Sequence, residues 1–255
     1  MSNIVLKNVC KSYDKEHYAV QDFSLEIPDR EFVIFVGPSG CGKSTTLRMI
    51  AGLEEITSGE LWIDGQLCNY VEAKDRDLSM VFQNYALYPN MTVYENMAFS
   101  LKIRKQPKDE VDKKVHEAAK MLEIEHLLDR RPAALSGGQK QRLTIARALV
   151  KKPEILILDD SASALDFATD AALRKSLNRL DWRVTTFLVS QRSSSIQQAD
   201  LILVLDNGTL AGKGTHAELL RTCDTYREIY FSQFPEERDK YASVSADNIM
   251  KEVTV

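Results

Sequence analysis

No stretch of this sequence approaches the roughly 18 apolar residues that a membrane-crossing helix needs, so no segment is expected to span a bilayer. The start, Met1-Ser2-Asn3-Ile4-Val5-Leu6-Lys7, lacks the basic opening and long apolar run of a secretion signal. Positive charge is not in surplus either. The formal net charge is -4, which argues against a nucleic-acid face or a basic membrane-binding helix. Cysteine is sparse: Cys10, Cys41, Cys68 and Cys223 are scattered with no C-x-x-C pair, the pattern of reduced thiols in a cytosol rather than of disulfides or zinc. The histidines His17, His116, His126 and His216 show no metal-ligand spacing, and there is no internal repeat. What is present is 255 residues with 44% hydrophobic content, enough for one sizeable α/β domain or a domain carrying an inserted subdomain. The expectation is a soluble chain that meets a membrane, if at all, through a partner.

The most informative stretch is Gly37-Pro38-Ser39-Gly40-Cys41-Gly42-Lys43-Ser44-Thr45. It follows the apolar run Phe32 to Val36 and precedes the helix-like Leu47-Arg48-Met49-Ile50-Ala51, giving strand, glycine-rich loop and helix with the spacing G-x-x-x-x-G-K-[ST]. Glycines let backbone N–H groups wrap an anion, and the helix N-terminus adds partial positive charge. Gly37, Ser39, Gly40, Cys41, Gly42, Lys43, Ser44 and Thr45 are thus expected to bind a nucleoside triphosphate. Lys43 would reach the β/γ-phosphates, and the Ser44 hydroxyl would ligate Mg²⁺.

Strands are expected over Ile4–Val9, Val20–Ile27, Glu60–Ile63, Leu78–Phe82, Ile155–Leu158, Val184–Val189 and Leu201–Leu205, with Lys11-Ser12-Tyr13-Asp14 as a polar loop between the first two. Asp64-Gly65 signals a hairpin turn, and Asn207-Gly208 turns the chain into Leu210. About Thr92 to Leu128 is helical in pattern, with Pro107 starting an amphipathic helix through Val111, Val115, Ala118 or Ala119, and Leu122. Helices are also expected from Gln139 to about Lys151, from Asp166 to Leu180, and over about 215–221 and 224–234. Alternating strands and helices argue for a mostly parallel sheet covered on both faces.

The phosphate loop, then Leu135-Ser136-Gly137-Gly138-Gln139, then the apolar strand ending in Asp159 occur in that order. The combination resembles the ATP-binding cassette of ABC transporters over about residues 3–235. The resemblance implies an α/β fold, a P-loop NTPase with a RecA-like core, an antiparallel β subdomain and an inserted helical subdomain at about 90–150. The cassette would occupy 1–237, and 238–255 is expected to be a poorly ordered tail. The implied ligands are ATP and Mg²⁺. Tyr13 is similar to the aromatic that stacks on adenine, Gln83 to the glutamine that contacts Mg²⁺ and senses the transporter subunit, and Asp159 to the carboxylate that holds Mg²⁺. Ser136, Gly137, Gly138 and Gln139 resemble the signature that closes over ATP bound to a second cassette in a head-to-tail dimer. Ser163, Leu165 and Asp166 resemble the D-loop that crosses that interface.

Two positions depart from the hydrolytic pattern of the family. Asp160 stands where a glutamate usually polarises the attacking water, and Gln191 replaces the switch histidine. An aspartate withdraws its carboxylate by about 1.5 Å, whereas a general base works within roughly 2.6–3.2 Å of its proton donor, directly or through one water. Gln191 can donate a hydrogen bond but cannot carry a positive charge. Losing well-placed base assistance costs about 10²–10⁴ in rate. With Lys43, these two residues make up the catalytic set, and normal Mg-ATP binding with slow hydrolysis is expected.

The two ends resemble different branches of the family. Residues about 1–154, with Val81-Phe82-Gln83-Asn84-Tyr85-Ala86-Leu87-Tyr88-Pro89, look like the ATPase subunit of maltose or multiple-sugar importers. From about Ile155, Leu158-Asp159-Asp160-Ser161 and Val189-Ser190-Gln191-Arg192 look like the degenerate-site domain of heterodimeric multidrug exporters. Natural divergence or recombination of two cassettes near residue 155 would each produce this. Tyr85, Leu87, Tyr88, Pro89 and Met91 form an apolar cluster where the family receives a membrane subunit; packing into the helical insertion's own core is the alternative. The expected partners are a second nucleotide-binding domain and a permease reached through Gln83 to Met91, with the chain peripheral on the cytoplasmic face. A clamp that binds ATP without productive turnover is the competing function. A soluble ATPase acting on ribosomes or DNA would favour tandem cassettes or a long coiled coil, and neither is present.

Overall fold

The computed structural model describes residues 3–14, 16–82, 84–159, 182, 184–190 and 196–238. Two sheets organise them. The first is four-stranded and antiparallel, in the order β2-β1-β4-β5, from β1 (Ile4–Ser12), β2 (Tyr18–Ile27), β4 (Ser58–Ile63) and β5 (Gln66–Leu67). The second is six-stranded, in the order β10-β9-β3-β8-β7-β6, from β3 (Phe32–Val36), β6 (Leu78–Val81), β7 (Ile155–Leu158), β8 (Thr185–Val189), β9 (Leu201–Asp206) and β10 (Thr209–Gly214). The four pairings from β9 to β6 are all parallel, and only β10 pairs antiparallel, with β9.

The parallel strands are buried on both faces, which is why they read as continuous apolar runs. Alternate residues of β3 serve opposite cores. Ile34 and Val36 face the helical side, while Val33 and Phe35 face the antiparallel sheet and the helix α1 (Lys43–Ala51). β7 divides the same way, with Leu156 and Leu158 on one side and Ile155 and Ile157 on the other.

Between β6 and β7 the chain inserts three helices, α2 (Val93–Ile103), α3 (Lys108–Met121) and α4 (Gly137–Leu149). α2 begins with a reciprocal capping box: Thr92 accepts from the Glu95 amide, and Glu95 accepts from that of Thr92. Val111, Val115, Ala118 and Ala119 of α3 pack into the same core as Met97 and Leu101 of α2 and Leu143 of α4. After β10 come α5 (His216–Thr222) and α6 (Asp224–Gln233).

One expectation needs correcting. β1 continues through Lys11 and Ser12, which pair with Val20 and Tyr18, so these residues lie in the sheet and the loop shrinks to the residues around Tyr13 and Asp14. Register irregularities at Val9 and Lys11 break the period-two pattern that would have signalled strand. The expected helix over 166–180 and the tail beyond 238 lie outside the described residues. β7, where the two sets of family motifs meet, pairs in register with β6 on one side and β8 on the other.

Candidate nucleotide-binding site

β3 delivers the chain to its C-terminal end at Val36, and residues 37–42 reverse it into α1. Gly42 caps that helix with φ 101°. A Cβ there would lie 2.5 Å from the Ala19 carbonyl oxygen at the start of β2, so both the backbone angle and the space demand glycine. The loop is therefore wedged against the antiparallel sheet. The Asn207-Gly208 turn holds it from the other side: the Gly208 amide donates to the Cys41 carbonyl at 3.3 Å, and the Gln21 amide donates to that of Gly208 at 2.7 Å.

The first turn of α1 carries no acidic residue, which leaves its positive end open to an anion. Lys43 Nζ turns back into the loop and donates to the carbonyls of Gly37 at 2.9 Å and Pro38 at 2.6 Å. Ser44 Oγ donates to Asp159 Oδ1 at 2.6 Å, a contact between residues 115 apart in sequence. Asp159 follows β7 and is only 4% exposed, with its other oxygen 3.8 Å from Arg48. A hydroxyl and a carboxylate converging in this way are the hard oxygen donors that Mg²⁺ prefers, so the residues present fit that ion.

These groups open onto a cleft of about 690 Å³. Ser39, Gly40, Lys43, Ser44 and Thr45 form one wall, and Phe82, Asn84, Asp159, Val189 and Ser190 form the other. Gln83, Asp160, Ser163, Leu165, Asp166 and Gln191 lie outside the described residues; the chain on both sides of Gln83 lines the cleft. Gly37 and Cys41 are buried in the loop's interior rather than in the cleft lining.

The remaining candidates sit elsewhere. Tyr13 stands on the loop after β1, with 64% of its surface exposed. Ser136 caps α4 in a second reciprocal box: its Oγ accepts from the Gln139 amide at 3.3 Å, and Gln139 Oε1 accepts from the Ser136 amide at 3.0 Å. A Cβ on Gly138 would meet nothing within 4 Å, and one on Gly137 only the Tyr85 hydroxyl at 3.7 Å. Internal packing does not require these glycines, and their bareness leaves a helix N-terminus open to an outside ligand.

Sequence reading missed two arginines. Arg48 lines the cleft, and its position four residues after Ser44, on the same helical face, was the available signal. Arg147 of α4 donates to the carbonyls of Ala86 at 2.7 Å and Tyr85 at 3.2 Å, two consecutive residues with positive φ. That segment carries the apolar cluster foreseen as a docking surface. Leu87 packs inward against the core, while Tyr88 rests on Phe99 with ring centroids 4.6 Å apart. Asn96 Oδ1 accepts from the Tyr88 amide at 2.9 Å.

A phosphate loop at the end of a parallel strand, with a helix-borne hydroxyl set against a buried carboxylate just after the next strand but one in the sheet, defines a P-loop nucleotide-binding protein. A family model described as ABC transporter matches residues 20–163, and the chain belongs to that family. It is 47% identical over 218 residues to the oligosaccharides import ATP-binding protein MsmX of Bacillus subtilis, which covers 84% of this chain and 60% of that protein. It is 49% identical over 222 residues to the sn-glycerol-3-phosphate import ATP-binding protein UgpC of Psychromonas ingrahamii, covering 86% and 60%. The chain thus spans about 60% of the length of these curated relatives. A third relative, UgpC of Bartonella bacilliformis, is 43% identical over 237 residues, covering 92% of this chain and 68% of that protein, so the alignment runs past residue 155. Among solved structures, a bacterial Atm1-family ABC exporter with ATP bound superposes with TM-score 0.81 at 33% identity, covering 91% of this chain and 42% of the exporter. The dimeric cassette MJ0796 bound to ADP and Pi gives 0.77 at 32%, covering 83% and 98%. The fold is that of an ABC ATPase cassette.

Proposed function

We propose that this chain is the ATP-binding cassette of a membrane transporter of the importer type, binding Mg-ATP in a head-to-tail dimer and hydrolysing it slowly. The observation that carries the reading is the Ser44–Asp159 contact at the rim of the phosphate loop. Residues about 1–237 would form the cassette, with the helical subdomain at about 90–150. Lys43 would exchange its two loop carbonyls for β/γ-phosphate oxygens, and the amides of Gly40 to Thr45 would cradle the phosphates. Ser44 and Asp159, with Gln83, would hold Mg²⁺. When bound, that ion neutralises charge across the β- and γ-phosphates. Tyr13 would stack on the adenine. Ser136 to Gln139 would close over the ATP of a second cassette, supported by the open N-terminus of α4, and Ser163, Leu165 and Asp166 would cross that interface.

The slow step belongs to Asp160 and Gln191. An aspartate carboxylate reaches about 1.5 Å less far than that of glutamate, and the amide cannot become cationic, so the predicted loss is about 10²–10⁴ in rate, or roughly 3–5 kcal/mol of barrier. A permease helix would dock in a groove of about 430 Å³ lined by Leu53, Met80, Phe82, Ala86, Tyr88 and Phe99. No helix among the described residues is long and apolar enough to cross a membrane. By its likeness to importer ATP-binding proteins, the cassette would be held by that partner on the cytoplasmic face. The relatives named as import proteins for oligosaccharides and sn-glycerol-3-phosphate support the importer direction and a small polar cargo.

The identities of Asp160 and Gln191 also favour a second reading, a degenerate cassette that clamps ATP without productive transport. Steady-state Mg-ATP hydrolysis by the chain, beside the double variant Asp160→Glu, Gln191→His, separates the two. A gain of about tenfold or more is expected if these positions alone limit the chemistry. If both proteins bind ATP and neither turns over, closure of the dimer is at fault and the clamp reading stands.

A further inference from the structure

We propose that Lys11 is a positioning residue for the nucleotide base, setting the Tyr13 ring at a fixed place relative to the phosphate loop. The inference rests on the reading of Tyr13 as the adenine-stacking residue. Lysine is almost never buried unless paired, and Lys11 is only 8% exposed. Its ammonium is anchored twice, to Glu54 Oε1 at 2.7 Å and to the Glu55 carbonyl at 2.9 Å. The same Nζ lies 4.9 Å from the centroid of the Tyr13 ring, within the range of a cation–π contact. One face of an otherwise exposed ring is therefore occupied by a fixed cation, and the other is left for a base.

The anchor leads straight to the phosphates. Glu54 and Glu55 lie three and four residues beyond the end of α1, the helix that the phosphate loop leads into. Two further bonds fasten β1 to the same segment: the Thr57 amide donates to the Cys10 carbonyl at 2.9 Å, and the Ser12 amide donates to Thr57 Oγ1 at 3.0 Å. Beyond Tyr13, Asp14 Oδ1 accepts from the amides of Glu16 at 3.0 Å and His17 at 2.7 Å, which holds the following turn. The base subsite and the triphosphate subsite are thus joined through Lys11 into one unit, so Lys11 acts on nucleosides and not on bare polyphosphate.

The test is equilibrium binding of Mg-ATP and of magnesium tripolyphosphate to the wild-type chain, Lys11→Met, Lys11→Arg, Glu54→Gln, Tyr13→Ala and the Lys11→Met, Tyr13→Ala double variant. Lys11→Met should weaken ATP about two- to tenfold while tripolyphosphate stays within about twofold. Glu54→Gln, which keeps the lysine but loosens its anchor, should weaken ATP in the same selective way, and Lys11→Arg should restore wild-type binding. Tyr13→Ala should weaken ATP by about fivefold or more, and adding Lys11→Met to it should cost nothing further. The proposal is overturned if Lys11→Met spares ATP while Tyr13→Ala does not, if tripolyphosphate weakens equally, or if the two losses multiply in the double variant. If Tyr13→Ala leaves ATP binding intact, the base-stacking reading itself fails.

Discussion

Replacing Arg76 by methionine should be among the most damaging single changes in the chain, although this residue touches no nucleotide. Arg76 is 7% exposed and donates to four backbone carbonyls. Nη1 reaches Met49 at 2.8 Å and Ile50 at 2.6 Å, in the last turn of α1, where carbonyls outnumber intrahelical donors; the Met49 carbonyl also accepts from the Gly52 amide at 3.1 Å. Nη2 reaches Cys68 at 2.6 Å and Nε reaches Val71 at 3.0 Å, beyond the β4–β5 hairpin. Gly52 makes room for it, since a Cβ there would lie 2.8 Å from the guanidinium carbon. Burial holds the guanidinium pKa below its ordinary value. Methionine keeps the length and removes every donor. A hydrogen bond to a charged donor contributes about 1.5–3 kcal/mol, and three of the four are buried; the Met49 and Cys68 carbonyls keep the amides of Gly52 and Val71, while the Ile50 carbonyl is orphaned. The cost of burying the cation disappears with it, so the net loss should be about 3–5 kcal/mol, against a total stability of about 5–15 kcal/mol. At 2–4 °C per kcal/mol for a chain of this size, the melting temperature should fall by roughly 6–20 °C. Lysine, which can satisfy only part of the fork, should fall between the two. Thermal melts followed by circular dichroism decide the matter. A methionine variant melting within about 2 °C of wild type would show that the four carbonyls find other partners, and the reasoning would be wrong.

Two further outcomes are expected. Gly42→Ala should abolish Mg-ATP binding and lower the melting temperature markedly, because its Cβ collides with the Ala19 carbonyl; Gly40→Ala, with φ 81° but open space around it, should carry only the left-handed backbone cost of about 1–2 kcal/mol. Equal effects of the two in melts and binding titrations would refute the steric argument. The half-buried His216 ring, with Nδ1 hydrogen-bonded to the Tyr226 hydroxyl at 2.7 Å, has its pKa lowered by burial, opposed in part by Glu237. Because the unfolded chain then binds the extra proton more readily, stability should be complete above the ordinary histidine pKa of about 6.5 and fall as pH drops below it, by at most about 1.4 kcal/mol per pH unit. Urea midpoints between pH 5 and 8 should show a shallower slope for His216→Phe, and an unchanged slope would count against this assignment.

Much of the site was legible in the chain because its determinants are local. The phosphate loop is a contiguous run between a β-branched strand and a helix. The signature Ser136 and Gln139 cap their own helix three residues apart, and β7 announces its double burial as four apolar residues in a row. The Asp64-Gly65 turn follows from two residues that tolerate positive φ, and both adopt it. Lys11 and Ser12 were misread because their strand pairing depends on a register shift against β2, which no single segment encodes.

The sequence by itself determined that a triphosphate loop, a signature helix and a carboxylate-ended strand occur in the order of an ABC cassette, since each is written in neighbouring residues. The tertiary structure alone decided which of them meet. The sheet order sets β3 beside β8, with β7 next, and this brings Ser44 to Asp159 across 115 residues. It also placed the Ala19 carbonyl against Gly42, Arg76 beneath the end of α1, and Lys11 between Glu54 and the Tyr13 ring. These contacts join segments distant in the chain, and the burial of two apolar cores against one sheet, not any local propensity, fixes them in place.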